Sequence, residues 1–398
     1  MKRRGVVVGF LLAVLVSAAA AQTPNCAQDK FPGAAWDKAD AAALRLDQEL
    51  LGALQADLKS GQYGYVDSLL VIRCGAVAAD NDYRHDYQKL YGELAKKKSP
   101  LTPTLNGPYN YYDPAWHPFY KDTDLHTMQS VSKTVTSVTI GVAMTRGEFP
   151  SLDKPVLDFF DLTKVKNLDD RKRRMTIRHL LSMTAGLEWY EDVAYDDPKN
   201  SCVVMESLDD WIPYVIDQPM VDEPGNKFVY NSGATELLAH IFKQATGQDI
   251  QDYAARHLFA PLGIEKFYWK RTPTGLTDTE GGLYLRPEDL ARIGYLFLRN
   301  GRWNGKQIVS EEWVRQSTAP SISIVETEDY GFKWWLPKYG DKHGWAAHGF
   351  GGQRMLVVAE HDLIMVVTAW NIPENPKGTI PLGLGEMMQI GLGLVGVN

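Results

Sequence analysis

Ser130 and Lys133 stand three residues apart, the spacing that places a hydroxyl and an amine on one side of a helix. Such a pair can carry nucleophilic catalysis, the amine taking the serine proton while the oxygen attacks a carbonyl. The pattern is cheap, since Ser151 and Lys154 repeat it. Context separates the two. Ser151 follows Pro150 in a loop and Lys154 precedes Pro155, whereas Ser130 stands where an apolar helix should begin. A helix start offers backbone N–H groups and a positive dipole end to a developing oxyanion. Partial burial there disfavours the charged form of Lys133 and lets it accept a proton near neutral pH. Taken alone, the pair still reads as an N-cap serine beside a solvated lysine.

Two further stretches change that balance. Pro224 to Gly233 places Tyr230 at a turn just before a helix from Ala234. Its hydroxyl could relay a proton between nucleophile and leaving group, with Asn231 or Ser232 holding the network. Against this stands a core tyrosine, one of 19. Downstream, Ala347-His348-Gly349-Phe350-Gly351-Gly352-Gln353 precedes a final hairpin, and glycines at a strand edge let another backbone come close. A tight glycine turn would look the same.

Other patterns lead nowhere. Gly391 to Gly396 matches a dinucleotide fingerprint, but the chain ends two residues later with no room for the helix that must follow. There is no Gly-x-Ser-x-Gly elbow and no His-Glu-x-x-His. No metal and no organic cofactor is expected. His179, His240 and His257 read as structural. The net charge of −7 argues against a nucleic-acid partner. Arg171 to Arg174 reads as a solvated face. The aromatic and acidic group around Trp189, Tyr190, Glu191, Tyr195 and Trp211 could rim a cleft, although a packed and solvated surface loop is the preferred reading.

The elements that must position these residues follow from periodicity. Leu46, Leu50, Leu54 and Leu58 predict an amphipathic helix over 41–59, stopped by Gly61. Strands are predicted over 66–73 and 76–79, around Cys74-Gly75. Val131, Val135, Val138 and Val142 line one face of a helix over 130–146, and so many β-branched residues imply central burial. Helices are predicted over 176–183, 208–216, 234–246, 250–258 and 287–299. Strands return near 331–336, 354–358 and 363–370. Strands at both ends with helices between imply an α/β (α+β) fold: one antiparallel sheet flanked by helices, with a mostly helical insertion over about 150–285.

The three stretches, in this order, resemble the serine β-lactamase and penicillin-binding-protein family. Met128 to Ser137, Met175 to Leu187 and Pro224 to Leu238 look like family segments, and the resemblance runs from about residue 40 to 395. Within it the chain is more similar to class C-related esterases and 6-aminohexanoate-dimer hydrolases. The resemblance implies a Ser130 nucleophile, Lys133 as base, Tyr230 as proton relay, and an oxyanion hole from the Ser130 and Phe350 N–H groups. Gly349, His348, Ser232 and Asn231 would line the substrate. One departure matters: no Lys-Thr-Gly or His-Thr-Gly is present, Ala347 and His348 standing before Gly349. The cation that would meet a substrate carboxylate is therefore missing, and His348 could only partly replace it. The expected function is acyl transfer to water from a small ester, amide or peptide. The alternatives are a D-Ala-D-Ala peptidase or β-lactamase, and a degenerate binding protein without turnover.

Lys2, Arg3 and Arg4 precede an apolar run ending in small residues, the pattern of a secretory signal over 1–21. A leader over 22–39 and one hydrolase domain over 40–398 would follow, exported to the periplasm or medium without a stable membrane anchor. Loss of the three cations leaves 39 basic against 49 acidic residues, a net charge of −10. Three cysteines permit one bridge in an exported chain, and either Cys74 or Cys202 could reach Cys26.

Overall fold

The computed structural model describes residue 26, residues 30–372 and residues 381–397 of the chain; the expected signal over 1–21 lies outside them. Ten strands form the main sheet. In chain order they are β1 (Asp37–Lys38), β2 (Val66–Arg73), β3 (Ala76–Asp82), β4 (Ile322–Val325), β5 (Glu328–Tyr330), β6 (Trp335–Tyr339), β7 (Lys342–His343), β8 (Trp345–Gly349), β9 (Gln353–Val358) and β10 (Leu363–Ala369). Their spatial order is β1-β3-β2-β10-β9-β8-β6-β5-β4, with β7 paired to β6. Every pairing is antiparallel except the short one of β1 with β3. The central register joins Val71 of β2 to Met365 of β10, closing the sheet between the two ends of the chain.

Alternation along Met355–Val358 of β9 and Leu363–Val367 of β10 sends successive apolar residues to two different cores. Leu356, Val358, Leu363, Met365 and Val367 join one core with α1 (Gln48–Ser60) and a C-terminal helix (Leu384–Leu394). Met355, Val357, Ile364 and Val366 join a second, larger core that contains the helical insertion. Both faces are covered, so neither set of alternate residues can be polar. Truncating Leu356 to alanine would cost about 2–5 kcal/mol, because the surrounding side chains only partly fill such a void.

The second core is built around α2 (Val131–Thr145), buried on every side from Val131 to Ala143. Further helices of that layer are α3 (Ser201–Glu206), α4 (Trp211–Ile216), α5 (Ser232–Thr246) and α6 (Pro287–Leu298). Three departures from the sequence reading have local causes. Asp47 accepts from the Leu50 N–H and starts α1 there, leaving 41–45 as turns. Lys333 sits at φ 61°, so the expected strand over 331–336 begins only at Trp335. Cys202, one of the two cysteines open to pairing with Cys26, is instead buried within α3. The bridge joins Cys26 to Cys74 and leaves Cys202 as a free thiol.

Candidate active site

Ser130 sits at the first turn of α2 and is half-buried. The residue before it, Gln129, has φ 48°, in the left-handed region that costs a side chain energy. Two bonds hold that turn in place. The Gln129 amide donates to Thr127 Oγ1 at 2.8 Å, and the Met128 N–H donates to the Leu283 carbonyl at 2.8 Å. One helical turn on, Lys133 is buried, and its Nζ donates to Ser130 Oγ at 2.9 Å. The same nitrogen donates to the Glu280 carbonyl at 2.8 Å and to Glu280 Oε2 at 3.1 Å.

Tyr230 completes the group. Its ring stacks on Trp335 with centroids 5.7 Å apart, and Lys133 Nζ lies 5.2 Å from its centroid. Its hydroxyl has both Ser130 and Lys133 as hydrogen-bond partners. Burial pushes the phenol above its usual value, with Lys133 pulling it partly back, so Tyr230 keeps its proton at neutral pH.

The charge on Lys133 differs from the sequence expectation. Burial is the largest influence and does favour the neutral amine, but the surrounding Tyr230, Glu280 and Glu191 outweigh it. They hold Lys133 well above its usual value, and the resting side chain is an ammonium ion. For Glu280, burial acts upward, yet Lys133 and a hydrogen bond from Glu206 bring it below the usual carboxylate range. The two form a buried ion pair.

Asn231 and Ser232 are buried and bonded to neighbouring protein groups. The Asn231 side chain caps α5, accepting from the Ala234 N–H at 2.8 Å. Ser232 Oγ donates to Glu191 Oε1 at 2.6 Å and its N–H to Glu191 Oε2 at 2.8 Å. Glu191 also accepts from Trp189 Nε1 at 2.6 Å and from the Tyr195 hydroxyl at 2.7 Å. The aromatic and acidic group preferred as a solvated surface loop is thus partly interior: Trp189 and Glu191 are buried and brace the loop that carries Tyr230.

Gly349 ends β8 against the nucleophile's turn, where a Cβ would collide with the Met128 carbonyl oxygen and lie 3.2 Å from Gln129 Cβ. Phe350 follows, half-buried, its ring 4.8 Å from that of Tyr195. Cys202, Glu206 and Glu280 bring three possible ligand atoms within 4.8 Å of one another. Lys133 already neutralises one of them. Burial and the Glu280 charge push Glu206 up so that it carries a proton, and burial pushes the Cys202 thiol up as well.

Comparison with known proteins agrees with this geometry. A model of the Beta-lactamase family matches residues 68–379. The chain belongs to the beta-lactamase family of serine hydrolases. It is 23% identical over 275 residues to the 6-aminohexanoate-dimer hydrolase of Paenarthrobacter ureafaciens, covering 63% of this chain and 68% of that one. A penicillin-binding protein homologue from Pyrococcus abyssi superposes with a TM-score of 0.61 at 18% identity, covering 88% of this chain and 77% of its own. A D-stereospecific amidohydrolase from Streptomyces gives 0.59 at 14% identity, over 89% and 98%.

In this beta-lactamase-family chain the cations near the Gly349 strand are engaged or discharged. His348 is half-buried; burial first, then Arg354 and Lys133, push it well below its usual value, so it is neutral. It cannot supply the positive charge considered for it from sequence. Arg354 is its cross-strand partner, buried and charged; one of its nitrogens donates to the Gly349 carbonyl at 3.1 Å and the Gln353 carbonyl at 3.0 Å, and its Nε has no hydrogen-bond partner. Lys333 is a buried amine 3.1 Å from Met183 Sδ, and burial and Lys133 push it well down. Glu280, Lys333 and Arg354 carry no mark in the sequence reading. Glu280 and Lys333 lie about 150 residues from Lys133 and Met183, and no spacing rule joins such partners.

Proposed function

We propose that the protein is an exported hydrolase that cleaves small esters or amides through an acyl-enzyme on Ser130. One observation carries this: the Lys133 ammonium 2.9 Å from Ser130 Oγ, with the Tyr230 hydroxyl bonded to both. Ser130 attacks the carbonyl while its proton passes to Lys133, which gives up one of its own as it does so. The oxyanion is met by the Ser130 and Phe350 N–H groups, and the seating of Gly349 on the Met128–Gln129 turn favours that arrangement. Tyr230 then protonates the leaving group and helps activate the water that frees the acyl group.

The neutral His348 favours a substrate without a carboxylate beside the scissile bond. The amide-cleaving names among the relatives support the same reading. Export is supported by the Cys26–Cys74 bridge, since such bonds persist in oxidising compartments. Among the described residues no helix is long and apolar enough to cross a membrane.

The test is a screen of the purified chain against short p-nitrophenyl esters, aminoacyl amides and a chromogenic cephalosporin, with Ser130→Ala as control. Ester or amide turnover that vanishes in the variant is expected. Full activity in Ser130→Ala, or a serine probe seated on another residue, would sink the reading. Stoichiometric acylation by penicillin would move the protein to the cell-wall branch instead.

A further inference from the structure

We propose that Glu280 receives the proton Lys133 must lose, so that Ser130, Lys133 and Glu280 form a two-step relay. This rests on Ser130 being the nucleophile. An ammonium has three N–H bonds and no lone pair, and those on Lys133 are shared among Ser130 Oγ, the Glu280 carbonyl, Glu280 Oε2 and the Tyr230 hydroxyl. Lys133 cannot take the serine proton until it gives one up. Of its acceptors, the serine is the reactant, the peptide carbonyl is not basic and the Tyr230 hydroxyl keeps its own proton. Glu280 Oε2, at 3.1 Å, is the remaining acceptor. Solvent does not compete, because Lys133 is 1% and Glu280 4% exposed.

The surroundings suit a carboxylate that is charged at rest and can be protonated in passing. Lys133 faces Glu280 from α2, and Tyr230 lies behind Lys133. Glu206 and Cys202 face it from α3, Glu206 carrying a proton and itself accepting from the Tyr111 hydroxyl. Beneath lie Asp278 and Lys270, paired at 3.6 Å, with Tyr109 donating to Asp278. Glu236 accepts the Glu280 N–H at 2.9 Å and fixes the loop that presents the carboxylate. Glu280 is a positioning residue, acting through Lys133 and never on substrate.

The step balances. The Oγ–carbon bond forms and the carbonyl π pair moves onto oxygen. The Oγ proton passes to Nζ, and one Nζ proton passes to Oε2. Lys133 ends as it began, and the negative charge has moved from Glu280 to the oxyanion. When the leaving group departs, the proton returns through Lys133 and Tyr230. Water enters by the same route reversed.

The experiment follows acylation of the full chain, as the p-nitrophenol burst from p-nitrophenyl acetate between about pH 5 and pH 10. A fluorophosphonate label located by peptide mass spectrometry identifies the nucleophile. Glu280→Gln should lose about 10²-fold at neutral pH, the size of a general acid–base contribution, and recover on the alkaline side as Lys133 yields its proton to solvent. Glu280→Asp should restore most of the neutral plateau. An unchanged rate in Glu280→Gln, or an equal loss at every pH, overturns the relay while labelled Ser130 leaves the function intact. A label absent from Ser130 in the wild type overturns the function itself. Should Glu280→Gln not fold, a proton inventory of wild-type acylation in mixed H₂O and D₂O decides. Two protons in flight give a bowed plot, and a straight line overturns the relay.

Discussion

Gly349 lies against the Met128 carbonyl oxygen so closely that any side chain at 349 would collide with it. The strand end and the nucleophile's turn are thereby locked together, two residues before Ser130. Gly349→Ala must push β8 away by a fraction of an ångström. The substituted protein should remain folded and lose about 10²-fold in kcat/KM, the cost of a small misplacement of reacting groups. Ester kinetics beside a thermal melt check this; a variant with full activity would show that the contact does not set the site.

That relationship also shows where sequence reading stops. The Ser130–Lys133 spacing, the apolar face of α2 and the hairpin of β9 and β10 are legible because each is a local period. The C-terminal helix over Leu384–Leu394 is not, since its glycines look like loop residues. They are small because Gly391 packs on Met365 and Leu363, and a Cβ on Gly393 would meet Leu50 at 2.8 Å. Glu191 reads as a solvated loop acid and nothing singles out Glu280, because acidic residues seldom go inside unless paired. Their partners, Ser232 and Lys133, are 41 and 147 residues away. The charge of Lys133 was misjudged for the same reason: burial is foreseeable from a helix pattern, whereas an anion brought by tertiary folding is not.

Glu191 accepts four hydrogen bonds, two of them from Ser232. Glu191→Ala would leave four buried or half-buried donors without an acceptor, at about 1–3 kcal/mol for each one that water cannot reach. A stability loss of about 3 kcal/mol or more is expected in urea unfolding, together with a fall in kcat, because Tyr230 rides on the same loop. A loss below about 1 kcal/mol would show that solvent takes over the role of the carboxylate.

The Cys26–Cys74 bridge closes a loop with a sequence separation of 48. Reduction, or Cys74→Ser, should lower stability by about 2–4 kcal/mol, mainly by freeing the unfolded chain. The turn at Cys74 carries none of the site residues, so kcat/KM of the folded protein should hold. Urea midpoints with and without dithiothreitol measure this, and identical midpoints would mean that the bridge contributes nothing in solution.

His117 is buried between the rings of Tyr111 and Trp370, each 5.1 Å away. Burial first, then Lys270, push it well below its usual value. A base depressed in the folded state binds fewer protons than the unfolded chain, so stability rises with pH across the window below the unfolded value of about 6.5. Acidification from pH 7 should therefore cost up to about 1.4 kcal/mol per pH unit from this residue, once below that value. His348 acts in the same direction. Urea titrations at several pH values should show a shallower acid slope in His117→Gln; a slope unchanged from wild type would contradict the assignment.

Substrate choice follows from the charges around β8. A carboxylate entering beside His348 would meet a neutral imidazole, and the Arg354 guanidinium on the neighbouring strand is buried, with one nitrogen on the Gly349 and Gln353 carbonyls. Desolvating an anion without a partner costs several kcal/mol, while a neutral acyl group pays no such penalty. Short-chain esters should therefore be turned over with kcat/KM at least about 10²-fold above that for penicillins, the equivalent of about 2.7 kcal/mol. His348→Lys should narrow the gap from the penicillin side by supplying a charge on the same strand. The comparison needs one ester and one chromogenic cephalosporin on both proteins. Equal rates on the two substrates in the wild type would mean that another group meets the carboxylate.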